Sequence, residues 1–588
     1  MTMKTEWNLD ILYKGFQDEQ YLSDKRTLAE CVQAFSELAG KAAEPLTAES
    51  AEELLVQEEK IETLLENLFN YASLRQSVNT EDGEAMAELA GLNRLYSEAA
   101  GSFAAVEKLF GTVEDPDALA DGSKVVSKYR YLFDEAKKNA KHLLSNEEES
   151  LYAAMDATGG NAWGDLQAYL TSTLKVDYDG KVVTLPEIRN LAHAEDPAVR
   201  KAAYDAEIKA YEKVRDSVAF SLNQIKNQVT MISKRRGFDS PLAQSLDDSK
   251  MSRATLDAMM EAVKESLPAF RKYFRKKAEL LGHKNGLPWY DLFAPLGESQ
   301  AKFTVEETRD YLLECFGKLS GDVRDLMADA FRDEWIDFYP RNGKTGGAFD
   351  AGLPDKKVSR ILTNFDGNFE SVDTLAHELG HAFHDRQVQD EPVLLRGYPM
   401  PVAETASTFN EVHLGNYALE KAAGGEAIAL LESKLSNTAQ CVVDIYSRYL
   451  FETAVFEESQ SKFLMADDLN EIMLRCQDES YGDGLDPEFR HPYMWLCKSH
   501  YYSSGFSFYN YPYTFGNLFA EGLYAVCRED PEGFMPKYKE MLRTTPVHTM
   551  EENGRMMGLD LTDKAFWEKS LKGIEAEIER FCREADKN

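Results

Sequence analysis

The segment TLAHELGHAFHD (374–385) contains residue types at the spacing of a hydrolytic metal site. His377 and His381 are four residues apart, so a helix would place both imidazoles on one face, where they can bind one zinc ion. Glu378 follows the first histidine and can act as a general base towards a water that the ion activates. The H-E-x-x-H pattern therefore predicts a zinc-dependent hydrolase.

A catalytic zinc site needs a third protein ligand and an open position. A third histidine ten residues after the first is one known solution, but this chain has Gln387 there. One helix rarely supplies three ligands, so we expect His384 to pack, or to support the ligands from behind, rather than bind. The segment PVAETASTFNEVHLGNYAL (401–419) predicts a helix with Glu404 and Glu411 two turns apart on one face. We predict that Glu404 is the third ligand and that Glu411 orients a ligand histidine.

Two further residues of the motif helix carry weaker signals. Asp373 lies one turn before His377 and is a second candidate to orient a ligand. Gly380 occupies a helix interior, where glycine costs about 1 kcal/mol relative to alanine, so we expect another element to approach closely there. The alternative is an ordinary amphipathic helix with solvent-facing histidines, which leaves the coincidence of two histidines and a glutamate unexplained.

The elements that position these residues are predicted to be mainly helical. Apolar residues recur at threes and fours through segments such as 51–76. Exceptions are LKVDYDGKVVTL (174–185), where Asp179-Gly180 predicts a two-residue hairpin, and the glycine-rich stretch 336–368. The latter ends in a β-type run from Val358 to Phe365, which predicts a small sheet just before the motif helix.

Composition limits the classes of partner and compartment. The 588 residues include 66 basic and 101 acidic side chains, a formal charge of −35, which disfavours nucleic acid and anionic membranes as partners. No apolar run has signal-peptide or membrane-spanning length. The seven cysteines are scattered without a C-x-x-C pair, as in a reduced cytosolic protein. We therefore predict a cytoplasmic protein.

TLAHELGHAFH followed by VAETASTFNE resembles the oligoendopeptidase F branch of the thimet-oligopeptidase-like zinc metallopeptidases. Further similar blocks follow that branch's order: SKRRGFDSPL (233–242), WYDLFAP (289–295), GKTGGAFDAG (343–352), ILTNFDGNF (361–369) and HYYSSGFSFYNYPYTFG (500–516). The resemblance implies a cytosolic, two-lobed helical peptidase with a deep channel, one zinc ion and short unstructured peptides as substrates, cleaved internally. We expect a helical lobe over residues 1–200 and a catalytic domain over 201–588.

The resemblance also implies residue roles. It keeps the zinc ligands and the base proposed above and adds groups that contact the substrate. Gly346 and Gly347 match a loop that runs along the bound peptide, which agrees with the close backbone approach that glycine permits. His500, Tyr509 and Tyr511 match the histidine and tyrosines that stabilise the oxyanion of the tetrahedral intermediate.

Two other functions remain open from the sequence. A zinc carboxypeptidase or peptidyl-dipeptidase would need a cation for the terminal carboxylate of its substrate, and Arg341 or Lys344 could supply it. A non-catalytic peptide-binding scaffold on the same fold would be expected to lose the base or a ligand, whereas all four positions are intact here. The sequence does not indicate an oligomeric state.

Overall fold

The computed structural model describes residues 4–296 and 302–587, and helices dominate this part of the chain. The N-terminal helices are α1 (Glu19–Lys41), α2 (Ala48–Val78), α3 (Gly83–Gly111), α4 (Pro116–Asp121), α5 (Lys124–Lys128) and α6 (Arg130–Asn139). The later helices are α7 (Asn146–Asp156), α8 (Gly160–Ser172), α9 (Leu185–Asn190), α10 (Pro197–Tyr211), α11 (Arg215–Arg235), α12 (Pro241–Asp248), α13 (Arg253–Leu280), α14 (Val305–Gly317), α15 (Gly321–Arg332), α16 (Phe369–Val388), α17 (Met400–Ala403), α18 (Thr405–Lys421), α19 (Gly424–Ala439), α20 (Ile445–Glu458), α21 (Ala466–Tyr481), α22 (Tyr511–Glu529), α23 (Pro531–Thr544), α24 (Met550–Met556) and α25 (Lys564–Ala585).

Short polar residues cap many of these helices. The Ser145 side chain accepts a hydrogen bond from the Glu148 amide, and the Glu148 carboxylate accepts one from the Ser145 amide, which forms a capping box at α7. Asp115 caps α4, and Pro116 occupies the first turn, where the missing amide hydrogen costs nothing. These segments are helix starts because their side chains satisfy the free amides.

Buried side chains form two hydrophobic cores. The smaller core contains α1–α6 residues such as Tyr21, Phe35 and Phe133, together with Leu353 and Leu395 from later in the chain. The larger core collects the buried residues of the remaining helices. The mainly helical, two-lobed architecture is therefore confirmed. The division at residue 200 stays a prediction, and buried side chains from Leu174 onwards already belong to the larger core.

A short hairpin interrupts the helices where the sequence predicts one. Strand β1 (Val176–Tyr178) pairs antiparallel with β2 (Lys181–Val183). The two turn residues have positive φ angles, 47° at Asp179 and 71° at Gly180. Two consecutive positive φ angles fit the right-handed twist of a hairpin, and aspartate and glycine adopt them readily.

A small sheet lies between the two cores, directly before the motif helix. Strand β3 (Ile336–Asp337) pairs parallel with β5 (Val358–Leu362), and β4 (Phe349–Leu353) pairs antiparallel with β5. The order β3-β5-β4 leaves β4 at an edge. Leu353 of β4 belongs to the smaller core and Ile361 of β5 to the larger one. The predicted sheet is confirmed, and it joins the two lobes beside α16.

The loop before β4 is held by the N-terminal lobe. The Thr345 amide donates to the Ser77 carbonyl over 2.8 Å, and the Thr80 amide donates to the Gly343 carbonyl over 2.6 Å. Both N-terminal residues lie where α2 ends and the chain turns into α3. The glycine-rich loop is thus fixed by backbone contacts that join segments distant in the sequence.

Candidate metal centre and substrate cavities

Close packing of α16 on α18 brings the motif and the later glutamates together. A Cβ atom on Gly380 would lie 2.5 Å from the Ser407 Cα and 2.6 Å from the Ala406 carbonyl oxygen. The Asn410 amide side chain adds a tie, since it donates to the Ala376 carbonyl over 3.0 Å. The expected close approach at Gly380 is therefore present, and it sets the distance between the two halves of the site.

Replacement of Gly380 by alanine is expected to destabilise the protein by about 1–3 kcal/mol, because the new methyl group meets backbone atoms that cannot move aside. Replacement of Gly91, in the interior of α3 with open space around its Cβ position, is the matched control. That variant should be as stable as wild type or slightly more so, because alanine favours the helix. Thermal unfolding of both variants tests this, and equal stability of the two would contradict the packing argument.

Three donor atoms form a nearly equilateral triangle at the surface of α16. The His377 and His381 Nε2 atoms are 3.2 Å apart, and each lies 3.3 Å from the Glu404 Oε2 atom. Neighbouring donors around a tetrahedral zinc with bonds of about 2.0–2.1 Å are separated by about 3.3–3.4 Å. The two nitrogens and one carboxylate oxygen thus match a three-ligand zinc site in type and in spacing.

The electrostatics of the triangle reflect its crowding. Burial opposes charge on His377, yet its hydrogen bonds to Glu404 and Glu411 raise its pKa well above the usual range. Burial likewise disfavours the charged form of Glu404, but the contacts with both histidines hold its pKa well below the usual range. In a proton-free state these three groups present lone pairs towards one point, as a cation site requires.

Glu411 fixes the orientation of His377. Its Oε1 atom lies 2.8 Å from the His377 Nδ1 atom. A carboxylate accepts hydrogen bonds only, so Nδ1 carries the proton and Nε2 keeps its lone pair directed at the other two donors. Asp373, the other predicted partner, makes no hydrogen bond to His377 within residues 4–296 and 302–587, and burial raises its pKa well above the usual range.

The chain is not one continuous helix over residues 401–419, which corrects the sequence-based expectation. The short helix α17 ends at Ala403, and Glu404 stands at the junction with φ −89° and ψ 2°, just before α18 begins. The Ser407 hydroxyl donates to the Glu404 carboxylate over 3.0 Å and fixes its direction. Glu404 therefore reaches the histidines from a helix start, where free amides favour an anion.

The motif residues border a groove of about 530 Å³, here called the motif groove. His377, Glu378 and Gly347 are among its lining residues, as is Asn364. The Asn364 side chain donates to the Gly347 carbonyl over 2.8 Å and so shapes the loop. Gly347 has φ +81°, in the region that favours glycine, and both Gly346 and Gly347 are exposed with open space around them.

Glu378 lies on α16 beside the ligand triangle and faces this groove. Only 6% of its surface is exposed, and burial raises the pKa of its carboxyl group above the usual range. It makes no salt bridge with a lysine or arginine in the described part of the chain. Its carboxylate is thus placed to exchange a proton with a water in the groove.

His384 packs into the core away from the triangle. Its ring stacks on Tyr398 with 4.0 Å between ring centroids, and its Nε2 atom lies 2.8 Å from the Thr545 hydroxyl. Burial lowers the pKa of His384 to about 3. Its side chain is fully buried, so it serves packing.

A second cavity of about 440 Å³, here called the helical cavity, opens on the other side of His377. It lies between α16, α18, α19 and α22, and it shares His377 and Glu411 with the motif groove. Tyr513 lines this cavity with Glu404. The two cavities therefore border the same residues of the site, with His377 in the lining of both.

The residues predicted to stabilise the oxyanion have different surroundings. The Tyr509 hydroxyl lies 2.7 Å from that of Tyr513, and His500 stacks on Tyr509 with 5.8 Å between centroids. Burial lowers the pKa of His500 to about 3, and its Nε2 accepts a hydrogen bond from Asn510 over 2.7 Å. The neutral ring therefore carries its proton on Nδ1.

Tyr511, the third predicted donor, is buried. Its hydroxyl contacts the Ser245 carbonyl at 3.0 Å and the Ser249 hydroxyl at 2.9 Å, which gives its predicted role no support.

Tyr513 is a residue that the sequence analysis missed. It lies four and eight residues before Asn517 and Glu521, and all of them line the helical cavity. That spacing is one face of α22. The periodicity was present in the sequence, but the aromatic density around it concealed which tyrosines share the face.

The two cations that could bind the terminal carboxylate of an exopeptidase substrate both make contacts within the protein. Arg341 forms a two-pronged contact with Asp337 over 2.7 and 2.9 Å. The Lys344 ammonium is fully buried, 2.6 Å from the same aspartate, and also donates to the carbonyls of Tyr339 and Thr363. Neither side chain is available for the terminal carboxylate of a substrate.

A mainly helical chain that brings H-E-x-x-H and a later glutamate to one point is a metallopeptidase by class. The sequence model of peptidase family M3 matches residues 190–573, and a model described as Oligopeptidase F matches residues 117–175. The chain belongs to peptidase family M3. The family implies a metal ion, and the described residues offer His377, His381 and Glu404 as a group that could hold one.

Named relatives and a solved structure agree with this assignment. The chain is 24% identical to Oligopeptidase PepF of Bacillus subtilis, with 97% of this chain and 86% of the relative covered. It is 25% identical to an oligoendopeptidase F homolog of Lactococcus lactis, with 99% and 98% covered. The crystal structure of oligoendopeptidase-F from Enterococcus faecium superposes with a TM-score of 0.71 at 20% identity, over 97% and 100% of the two chains. That structural likeness shows the fold.

The described helices lie within residues 4–296 and 302–587. None of the helices there combines the length and the apolar character needed to cross a bilayer.

Proposed function

We propose that this protein is a zinc-dependent oligoendopeptidase that hydrolyses internal bonds of short, unstructured peptides. The observation that carries the proposal is the triangle of His377, His381 and Glu404 donor atoms, spaced 3.2–3.3 Å apart, with Glu378 beside it in an open groove. The names of the relatives, oligopeptidase and oligoendopeptidase, support the substrate class and the internal cleavage.

Each residue of the site would have a separate role in binding the metal or in moving a proton. His377, His381 and Glu404 would hold zinc, which when bound polarises the scissile carbonyl and makes a water more acidic. Glu378 accepts the proton of the attacking water and later delivers it to the leaving amine. Glu411 keeps His377 in the tautomer that binds through Nε2, and a change of tautomer would turn a proton towards the ligand position.

The substrate would lie along the motif groove. We propose that Gly346 and Gly347 let the peptide backbone approach the loop and that the edge strand β4 pairs with it through backbone hydrogen bonds. His500 and Tyr509, with Tyr513 at the wall of the helical cavity, are the proposed donors to the oxyanion. Donors of this kind contribute a factor of about 10²–10³ to the rate.

Cleavage of a peptide with both ends blocked tests the proposal. We expect internal cleavage of an acetylated and amidated peptide of about ten residues, loss of activity with a chelator, and recovery when zinc is added back. Fragment masses report the position of cleavage. Cleavage of free-ended peptides alone, always at one fixed distance from a terminus, would instead support an exopeptidase, and the absence of any cleavage with zinc present would support a binding scaffold.

A further inference from the structure

A third cavity, here called the cationic cavity, has Lys498 in its lining, two residues before His500, and has no part in the proposed chemistry. It has a volume of about 240 Å³ and is lined by aromatic side chains and by Arg189, Arg200 and Lys498. Arg200 is neutralised by Asp291 over 2.7 Å, and Arg189 has Glu207 at 3.8 Å. In a chain with a formal charge of −35, three cations around one small space are unexpected.

Lys498 is the cation of this lining that no carboxylate contacts directly in the described part of the chain. It makes no ion pair and no side-chain hydrogen bond within the described residues, although it is half-buried. Burial and the Arg448 guanidinium lower the pKa of Lys498 below its usual range; Asp444 opposes this shift only in part, and Arg189 adds to it. Like charges held close together destabilise a fold unless an anion joins them. The arrangement is typical of a site that is completed by an anionic ligand.

His491 adds an independent sign of a missing partner. Its side chain is 1% exposed and lines the same cavity. The Nε2 atom lies 3.4 Å from the Glu207 carboxylate, and neither ring nitrogen makes a hydrogen bond in the described part of the chain. Buried ring nitrogens are nearly always paired, so an orphaned one at a cavity wall calls for a ligand or a water.

The cationic cavity borders the helical cavity of the candidate active site. Gln440 lines both this cavity and the helical cavity that holds His377 and Glu404. Lys498 also precedes His500 by two residues. Next to it, Arg448 donates to the Asn510 side-chain oxygen over 2.9 Å, and the amide of Asn510 contacts His500. An anion at Lys498 would therefore lie close to the proposed oxyanion region.

We propose that the cationic cavity binds a carboxylate of the substrate peptide and that Lys498 is its principal contact. This inference rests on the proposed function. The two sources of such a group are the C-terminal carboxylate and an aspartate or glutamate side chain. A strongly acidic protein repels both, so a local cation away from the bond that is cleaved would hold the peptide without taking part in the chemistry.

Paired peptides distinguish the two sources. One pair has the same sequence with a free C-terminal carboxylate or an amide, and a second pair has glutamate or glutamine at successive positions in amidated peptides. In one of the two pairs, we expect the neutral peptide to have a KM for the wild-type enzyme about tenfold or more above that of the charged peptide, with little change in kcat. The first pair responds if the C-terminus binds, and the second pair responds if a side chain binds.

Variants at position 498 test whether the dependence of KM on peptide charge comes from Lys498. Lys498→Met should raise KM for the charged peptide to the value of the neutral one and erase the difference within the pair. Lys498→Arg should preserve much of it. Lys272→Met is the matched control, because Lys272 lies at the surface and pairs with Glu579. It should leave both peptides as in wild type.

The results separate a failure of the carboxylate-binding inference from a failure of the proposed peptidase function. If wild type cleaves every peptide with KM independent of charge, the inference is overturned while the proposed function stands, and this comparison needs no variant. If a charge effect exists but survives in folded Lys498→Met, the cavity is not its origin and the inference is again overturned. If wild type with zinc cleaves none of the peptides, the proposed function itself fails and the inference fails with it.

Discussion

Replacement of Glu378 by glutamine is expected to lower kcat for peptide cleavage by about 10²–10⁴-fold, the usual contribution of a general base. The amide has nearly the same shape but cannot accept the proton of the attacking water. The ligand triangle does not include Glu378, so the bound metal per chain should remain as in wild type. Elemental analysis together with kcat and KM measures both effects on one preparation.

Glu426→Gln is the control for this change, since Glu426 is exposed at the start of α19. It should cleave at the wild-type rate. A Glu378→Gln protein that kept both its metal and its wild-type kcat would show that another group takes the proton. Loss of metal in that variant would instead assign Glu378 to binding, contrary to the geometry.

Replacement of Glu404 by alanine is expected to weaken metal binding by more than about 100-fold. Loss of a residue that only hydrogen-bonds to a metal ligand typically costs about 10–100-fold, and Glu404 is itself a predicted ligand. The replacement removes one corner of the triangle and leaves two histidine nitrogens 3.2 Å apart. Peptide cleavage should fall to background at metal concentrations that saturate wild type, and raised zinc should recover only part of it. Metal titration and activity on the same samples test this.

Two variants on α18 provide a graded comparison. Glu411→Ala removes the partner of His377 Nδ1 and should weaken metal binding by about 10–100-fold. Glu420→Ala, at an exposed position of the same helix, should bind metal as wild type does. If Glu404→Ala bound zinc as tightly as Glu420→Ala, the third ligand would have to be sought elsewhere.

The fold and the motif were predictable from the sequence because their signals are local. Apolar residues at helical spacing place Leu54 and Leu68 inside the smaller core. The hairpin at Asp179-Gly180 follows from backbone preferences of its two residues. The penalty of glycine inside a helix correctly pointed to close packing at Gly380, although it could not say that α18 is the partner.

Other features depend on distant contacts and were not predictable. The break at Glu404 separates α17 from α18 although the residues around it favour a helix, and it places Glu404 at a helix start from which the carboxylate reaches α16. The tyrosine-rich segment has several equivalent candidates, and only the fold shows that Tyr511 faces Ser245 while Tyr513 faces the helical cavity. The sequence does not distinguish Lys498 from the other lysines, and only the fold shows that it makes no ion pair or side-chain hydrogen bond in the described part of the chain.

The sheet that joins the two cores has a consequence for how this protein folds. Leu353 and Leu395 complete the N-terminal core, and the turn after α2 forms backbone hydrogen bonds with Gly343 and Thr345. A fragment that ended after α6 would therefore lack part of its own interior, and a fragment without α1–α6 would expose apolar side chains beside α16. We therefore expect the two lobes to unfold as one cooperative unit, and we expect the glycine-rich loop to reach its final shape only when the N-terminal helices and the sheet have both folded.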